Sequence, residues 1–190
     1  MLDSVREARS WRIGQAARHI ARGGVVAYPT EAVWGLGCDP FDAAAVSRLL
    51  ALKHRAADKG LILIASRVEQ LGGLAHFLSA SQLQQLTQCY DQPTTWLIPH
   101  YGKLPNWITG GRDTVAIRFT QHSVARALCE QSNRLLVSTS ANLAGFAPAR
   151  TQAQVRRYFG RQIDAYVSGT VNANLQPSRI IDLQSGAILR

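Results

Sequence analysis

Apolar runs alternate with amphipathic stretches along this chain, and they predict strands that alternate with helices. Short apolar runs predict strands over residues 25–28, 61–65, 94–98, 114–119, 135–137, 163–167, 179–183 and 187–189. Helical spacing and capping residues predict helices over residues 4–22, 42–53, 68–77 (interrupted at Gly72-Gly73), 79–90, 123–132 and 151–158. This order predicts an α/β fold with a mixed, twisted sheet, formed as a single domain over residues 1–190.

The first predicted strand ends in a segment that combines polar side chains with glycines. Pro29 ends the strand, because proline cannot donate to a sheet ladder, and Thr30 and Glu31 follow at its carboxyl end. Gly35 and Gly37 favour a sharp turn or a close approach of the backbone to a ligand. Small ligands bind at strand ends in open α/β sheets, although a purely structural turn accounts for these residues at least as well.

A loop after the second predicted helix concentrates positive charge. The chain has three lysines among its 21 basic residues, and two of them, Lys53 and Lys59, lie on either side of Arg55. Two ammonium groups and a guanidinium suit a polyphosphate or another small anion. The alternative is a solvated helix end, where cations favour the helix dipole.

Polar residues at two further predicted strands suggest ligand contacts. Arg118 lies in an otherwise apolar strand, so it needs an anionic partner, which is either an internal carboxylate or the carboxylate of a ligand. The strand over residues 135–137 runs into a hydroxyl- and amide-rich segment that includes Ser138, Ser140 and Asn142. Such groups bind phosphate or sugar oxygens, but turns and helix caps favour the same residue types.

Composition and charge narrow the classes of function. A net charge of +9 predicts an anionic partner such as nucleic acid or nucleotide phosphates. The cysteines Cys38, Cys89 and Cys129 have no zinc-site spacing, and we expect them to be reduced and buried. No signal-peptide pattern and no membrane-length apolar run occurs, so we expect a cytoplasmic protein with no membrane partner.

Several motifs together resemble the YrdC family, and in particular its short bacterial form. They are, in chain order, Tyr28-Pro29-Thr30-Glu31 with Gly35-Leu36-Gly37, Lys53-x-Arg55, Ala116-Ile117-Arg118, Ser138-Thr139-Ser140-Ala141-Asn142 with Gly145, and Pro177-Ser178-x-Ile180-Ile181-Asp182. The resemblance extends from about residue 8 to the end of the chain. It implies a YrdC-like open, twisted, mixed sheet with helices, curled around a basic concave cavity.

The resemblance also implies an activity. L-Threonine, bicarbonate and ATP would give threonylcarbamoyl-AMP and pyrophosphate, with Mg²⁺ carried on the phosphates of ATP and no metal ligand from the protein. Partner proteins would then transfer the threonylcarbamoyl group to adenosine 37 of tRNAs that read ANN codons.

The family motifs imply a role for each matching residue. The catalytic set would be Lys53, Arg55, Ser140 and Asn142. The substrate-binding set would be Thr30, Lys59, Arg118 and Ser138, in which Arg118 pairs with the threonine carboxylate and Thr30 and Ser138 line the threonine pocket. The nucleotide-binding set would be Lys53, Arg55, Thr95, Ser140, Asn142 and Ser178.

Two other functions remain open at this stage. A non-catalytic protein that binds tRNA or double-stranded RNA during rRNA or tRNA maturation would use the same positive charge. A synthase that forms a related acyl-adenylate would use the same cavity. The RNA-binding alternative gives no reason for Arg118 to occupy an apolar strand, so a substitution at Arg118 separates it from the enzyme.

Overall fold

The computed structural model describes residues 2–172 and 174–190 of the chain, and its side chains from residue 10 onward. The α-helices are α1 (Leu2–Ala21), α2 (Ala43–Lys53), α3 (Ala80–Thr87), α4 (Asn106–Thr109), α5 (Ser123–Ser132) and α6 (Gln152–Phe159). The strands are β1 (Val26–Pro29), β2 (Trp34–Gly37), β3 (Ile62–Ala65), β4 (Thr94–Pro99), β5 (Thr114–Phe119), β6 (Leu136–Ser140), β7 (Ala165–Tyr166) and β8 (Arg179–Asp182). Short 3-10 helices cover Ala57–Lys59, Val68–Phe77 and Gly160–Gln162.

All eight strands join one open, mixed sheet in the order β7-β1-β2-β6-β3-β5-β4-β8. The pairs β1–β7, β3–β5 and β4–β8 are parallel, whereas β1–β2, β2–β6, β3–β6 and β4–β5 are antiparallel. This arrangement confirms the predicted α/β class and mixed sheet. It also places β6, the strand that follows α5, between β2 and β3. The polar end of β6 therefore lies in the middle of the sheet.

Two apolar clusters cover the sheet, one on each face. On one face α1 and α5 pack together through Ile13, Ala16, Ile20, Val124 and Leu128 against Val26, Tyr28, Ile64 and Leu136. On the other face, α2 and the 3-10 segment over Val68–Phe77 bury side chains that include Val46, Leu49, Leu71 and Leu74. Burial of these side chains removes apolar surface from water, which is the main favourable contribution to folding. The sheet therefore lies between two helical layers.

Of the two alternatives for Gly35 and Gly37, the sharp turn is wrong, because both glycines lie inside strand β2, which pairs with β1 as a hairpin. A Cβ atom on Gly37 would lie 2.3 Å from the Val137 carbonyl oxygen and 2.8 Å from the Tyr28 hydroxyl oxygen. The glycine is therefore required for the close approach of β2 to β6. The sequence indicated that glycines allow a close approach of the backbone at this segment, but it did not predict that the segment is strand β2.

Several element boundaries also differ from the prediction. Strand β6 continues through Ser140, because Thr139 and Ser140 pair with β2 after the pairing with β3 has ended at Ser138. The predicted strand over 187–189 is reduced to one bridge between Ile181 and Ile188. The helix predicted over 79–90 ends at Thr87, and the loop after β4 contains the short helix α4.

The three cysteines are free thiols, as predicted, but they are not all buried. Cys38 and Cys129 lie in the interior, and burial raises the pKa of both thiols well above the usual value. Cys89 is exposed, because it lies in the loop that follows α3. Within the described part of the chain, no helix is both long and apolar enough to cross a bilayer.

Candidate active site

A cavity of about 300 Å³ opens beside the hairpin β1–β2, the polar end of β6 and the last residues of the chain. Its polar and charged lining residues include Thr30, Glu31, Arg55, Arg118, Ser138, Thr139, Ser140, Gln176, Ser178 and Arg190. Three of these side chains are guanidinium groups and one is a carboxylate, so the lining carries a net positive charge. This is the basic concave cavity that the family resemblance implied.

The wall at the β1–β2 hairpin is fixed by a local turn. The Thr30 hydroxyl donates to the Val33 carbonyl oxygen at 2.7 Å, and the Thr30 amide donates to the same oxygen at 3.0 Å. The hydroxyl oxygen therefore keeps its lone pairs free to accept a hydrogen bond. A Cβ atom on Gly35 would lie 3.3 Å from Thr30 Cγ2 and 3.6 Å from the Ser138 hydroxyl oxygen, so glycine keeps this part of the cavity open.

Arg118 reaches into the cavity from β5, and its internal counterion is Glu31. Arg118 Nη2 lies 3.7 Å from Glu31 Oε2, which is an ion pair without a hydrogen bond. Both side chains are nearly buried, with 12% and 10% of their surface exposed. Arg118 Nε has no hydrogen-bond partner among the described residues. Of the two partners that the sequence allowed for Arg118, the internal carboxylate is present, and donors of the guanidinium remain unused.

Glu31 is negatively charged near neutral pH. Burial alone would raise the pKa of its carboxyl group, but Arg118 and the hydrogen bonds from Thr120 and the Gln121 amide lower it below the usual value. Its Oε1 atom accepts from the Thr120 hydroxyl at 2.7 Å and from the Gln121 amide at 3.1 Å. The cavity thus contains a charged carboxylate next to a charged guanidinium.

Lys53 lies behind the cavity wall and holds the segment that follows β6. Its ammonium group donates to the Ser140 carbonyl oxygen, to the Asn142 carbonyl oxygen at 2.9 Å and to Asn142 Oδ1 at 3.4 Å. The Ser140 hydroxyl donates to the same Oδ1 at 2.6 Å. Burial, reinforced by the nearby charge of Arg55, lowers the pKa of Lys53 to about 8. The three predicted catalytic residues Lys53, Ser140 and Asn142 therefore form one hydrogen-bonded cluster.

Arg55 presents its guanidinium to the cavity itself. Its Nη2 donates to the Gly60 carbonyl oxygen at 2.9 Å, whereas its Nε has no partner in the described part of the chain. Burial lowers the pKa of Arg55, and Asp58 partly offsets this, but a guanidinium remains charged under these conditions. Arg55 is thus a cation with an unused donor at the cavity wall.

The opposite wall is built from the start of β8 and the chain end. The hydroxyl groups of Thr95 and Ser178 are hydrogen-bonded at 2.8 Å in the interior. Arg190 Nε and Nη2 donate to the Ser178 carbonyl oxygen at 3.3 and 3.0 Å. The backbone of Arg190 pairs with Ile180, which brings the last guanidinium of the chain to the cavity.

The structure gathers most of the sequence-predicted residues at this one place. Six of them line the cavity, namely Thr30, Arg55, Arg118, Ser138, Ser140 and Ser178. Lys53, Asn142 and Thr95 lie behind the lining and contact it through Ser140 and Ser178. Lys59 is the exception, because it is exposed in the 3-10 helix Ala57–Lys59 and is not among the lining residues.

Sequence reasoning assigned no site role to Glu31, Pro148, Gln176 or Arg190, which also line the cavity. Glu31 had a signal, since it follows Thr30 at the end of a strand. Arg190 had none, because only the return of the chain end along β8 brings it to the cavity. Among the described residues no cluster of three or more His, Cys, Asp or Glu side chains could hold a metal ion.

The fold and the site together define a class of protein: an α/β protein with a mixed sheet and a cationic cavity suited to small anions. A family model for Sua5/YciO/YrdC, described as telomere recombination, matches residues 18–190. This chain belongs to the Sua5/YciO/YrdC family, which confirms the resemblance found in the sequence.

Two curated relatives are similar over nearly their whole length. The threonylcarbamoyl-AMP synthase of Stutzerimonas stutzeri is 51% identical over 180 residues, which cover 95% of this chain and 97% of that protein. The threonylcarbamoyl-AMP synthase of Halorhodospira halophila is 50% identical over 182 residues, which cover 96% of this chain and 95% of that protein.

Solved structures share the fold. P. abyssi Sua5 complexed with L-threonine matches with a TM-score of 0.86 and 34% identity over 95% of this chain. This chain spans about half of that protein, since the match covers 54% of it. E. coli YciO matches with a TM-score of 0.79 at 22% identity, which supports the fold alone.

Proposed function

We propose that this protein is a threonylcarbamoyl-AMP synthase, which converts L-threonine, bicarbonate and ATP to threonylcarbamoyl-AMP and pyrophosphate. The observation that carries the proposal is the joint position of Arg118 and Arg55 in one cavity. One guanidinium suits a substrate carboxylate and the other suits phosphate oxygens. The curated relatives that bear this name cover nearly all of the chain, and they support the same conclusion.

The reaction has two bond-forming steps. The ammonium group of bound threonine first releases a proton to solvent; the neutral amine then attacks the carbon of bicarbonate, and water leaves as the carbamate forms. A carbamate oxygen then attacks the α-phosphorus of ATP in line, and the bond to the bridging oxygen breaks to release pyrophosphate. Both steps depend mainly on positioning and on stabilisation of negative charge.

We assign the threonine end of the cavity to Arg118, Thr30 and Ser138. Arg118 would bind the carboxylate with donors that Glu31 leaves free. Thr30 and Ser138 would bind the remaining polar groups, and the Thr30 oxygen is available to accept a hydrogen bond. The hydrogen bond to Val33 holds the Thr30 hydroxyl in place, and strand β6 fixes the backbone of Ser138, which reduces the entropy lost when threonine binds.

We assign the nucleotide end to Arg55, Ser140 and Ser178. The unused donors of Arg55 suit the phosphates of ATP, and Mg²⁺ would arrive on those phosphates. Lys53 and Asn142 would act by holding Ser140, since the Lys53 ammonium already donates to three oxygen atoms. Thr95 would act in the same way on Ser178. Lys59 is exposed and outside the lining, so this assignment gives it no contact with substrate.

The decisive measurement is pyrophosphate release from ATP by the purified protein. We expect release that requires both L-threonine and bicarbonate, and little release when L-serine replaces L-threonine. Release that needs neither addition would contradict the synthase. Release with threonine but without bicarbonate would indicate a different acyl-adenylate.

Transfer to tRNA is the proposed role of the product, in the cytoplasm and with partner proteins. Arg118→Ala separates this role from plain RNA binding. We expect the variant to lose threonine-dependent pyrophosphate release and to keep tRNA affinity and its salt dependence. If tRNA affinity collapsed in a folded variant while pyrophosphate release persisted, Arg118 would belong to an RNA site.

A further inference from the structure

Glu31 is the one acidic side chain among the described residues that line the cavity. A carboxylate is unexpected there, because the proposed substrates ATP and bicarbonate are anions and threonine is bound through its carboxylate. Glu31 also borders a smaller pocket of about 120 Å³ on the other side of Arg118. The Glu31–Arg118 pair therefore forms a charged partition between two spaces.

The hydrogen bonds of Glu31 fix it from one side only. Thr120 and the Gln121 amide both donate to Oε1, at 2.7 and 3.1 Å. The other oxygen, Oε2, is buried and has no hydrogen-bond partner in the described part of the chain. The atom that faces Arg118 is thus held in place by donors on the far side of the carboxylate.

The separation of 3.7 Å between Arg118 Nη2 and Glu31 Oε2 matters for the chemistry of the site. A closer, bidentate pair would use two guanidinium donors and leave few for a ligand. At this distance the charge of Arg118 is balanced, but its donors stay available. The field of such a charge pair falls off faster with distance than the field of an isolated guanidinium.

This balance affects zwitterions and simple anions differently. A carboxylate without an amine is attracted by Arg118 and repelled by Glu31, so it gains little on binding. An amino acid carries an ammonium group next to its carboxylate, and the negative charge of Glu31 attracts that ammonium group. The two opposite charges of the site therefore match the two opposite charges of a zwitterion.

We propose that Glu31 is a specificity-determining residue that balances the charge of Arg118, so that the threonine end of the cavity selects a zwitterionic amino acid over carboxylates that lack an amine. The inference rests on the proposed function, because it concerns the threonine end of the same cavity. It adds Glu31 to the residues of that end, and it states that zwitterionic amino acids bind there whereas carboxylates without an amine are rejected.

The test compares two ligands that differ by the amine. L-Threonine and (R)-3-hydroxybutyrate share the carboxylate, the hydroxyl and the methyl group, and their dissociation constants are measured by calorimetry without turnover. We expect the wild-type protein to prefer threonine strongly. We expect Glu31→Gln, which keeps the acceptor oxygen for Thr120 and removes the charge, to lower that preference at least tenfold, with tighter binding of (R)-3-hydroxybutyrate.

Two further variants separate charge from structure. Glu130→Gln removes the same charge from an exposed position on α5, where Glu130 pairs with Arg126, and should leave the preference unchanged. Thr120→Val removes the hydroxyl that holds Oε1 and keeps the Glu31 charge, so its effect should be smaller than that of Glu31→Gln. An equal loss of preference in Thr120→Val would show that side-chain placement, and not charge, sets the preference.

Other outcomes would also overturn the inference. An unchanged preference in folded Glu31→Gln would contradict charge balance, and so would a fall in the affinities for both ligands by the same factor. The wild-type protein provides a test that does not depend on folding of a variant, because binding of both ligands with similar affinity would contradict the proposal. Threonine-dependent pyrophosphate release alongside any of these results would leave the proposed function intact.

Discussion

Lys53 is a buried cation whose role could not be read from its sequence position alone. The sequence placed it beside Arg55 and suggested an anion as its partner, whereas its ammonium group donates to oxygens of Ser140 and Asn142. The neighbouring Arg55 lines the cavity and retains an unused donor. Two basic residues of one short motif thus occupy different environments, because the first ends helix α2 and the second lies beyond it.

The lowered pKa of Lys53 predicts how it affects stability with pH. Its pKa of about 8 in the folded protein lies below the value of an unfolded lysine, so unfolding takes up a proton between about pH 8 and 10.5. The contribution of Lys53 to the free energy of unfolding is therefore lowest below pH 8 and rises as the pH is raised through this window.

Lys53→Met removes this titration. We expect the difference in unfolding free energy, wild type minus variant, to increase by about 2 kcal/mol between pH 7 and pH 10. Urea unfolding at both pH values measures it, and the other titrating groups cancel in the difference. A difference that did not change with pH would mean that Lys53 has an ordinary pKa.

At the scale of elements, the short strand β2 decides the geometry of the site. It joins β1 to β6 and thereby brings Thr30, Gly35 and Ser140 to one wall of the cavity. The sequence did not predict this strand, because Trp34–Gly37 is short and contains two glycines, which are unfavourable in strands. Its stability comes from pairing on both sides, and this is a tertiary effect.

Gly37→Ala tests the close contact between β2 and β6. The added Cβ would meet the Val137 carbonyl oxygen at 2.3 Å, so backbone atoms must move and we expect a loss of about 3 kcal/mol in unfolding free energy. Gly73→Ala is the matched control, because a Cβ there meets nothing within 4 Å, and its effect should stay within about 1 kcal/mol. Equal stability of the two variants in chemical denaturation would refute the argument.

At the scale of the whole molecule, the fold brings the chain end to the hairpin near the chain start. Arg190 reaches the cavity because its backbone pairs with Ile180 and its guanidinium donates to the Ser178 carbonyl oxygen. This arrangement adds a third guanidinium to a cavity already lined by Arg55 and Arg118. The site is therefore assembled from segments distributed over the chain.

Arg190→Ala should raise the KM for ATP at least about fivefold, because one of the positive charges that line the cavity is lost beside Ser178 of the proposed nucleotide end. Arg157→Ala changes the net charge equally at an exposed position of α6 that is not among the lining residues, and its KM should stay close to the wild-type value. Steady-state kinetics with ATP as the varied substrate measures both. A similar rise in KM for both variants would indicate a general effect of net charge.

The net charge of +9 leads to a prediction about tRNA. We expect tRNA binding that weakens at least about tenfold between about 50 and 200 mM salt, because binding releases counterions from phosphates. Filter binding or fluorescence anisotropy over this range measures it. Affinity that is independent of salt would argue against an electrostatic RNA-binding surface.

The sequence by itself determined the fold class, the positions of most helices and strands, and the family. Apolar periodicity and caps depend on neighbouring residues, so the pattern located α2, β5 and α5 closely. It also indicated that Arg118 needs an anionic partner, because a charged group buried in an apolar strand is costly unless it is paired.

Only the tertiary structure decided which anion that is, and which residues share the cavity. The Glu31–Arg118 pair, the Lys53 cluster and the approach of Arg190 join residues far apart in the chain. Contacts of this kind depend on strand order and on register, and a local pattern in the sequence specifies neither. For this reason the sequence named most of the candidate residues, whereas the fold separated those that line the cavity from those that support it.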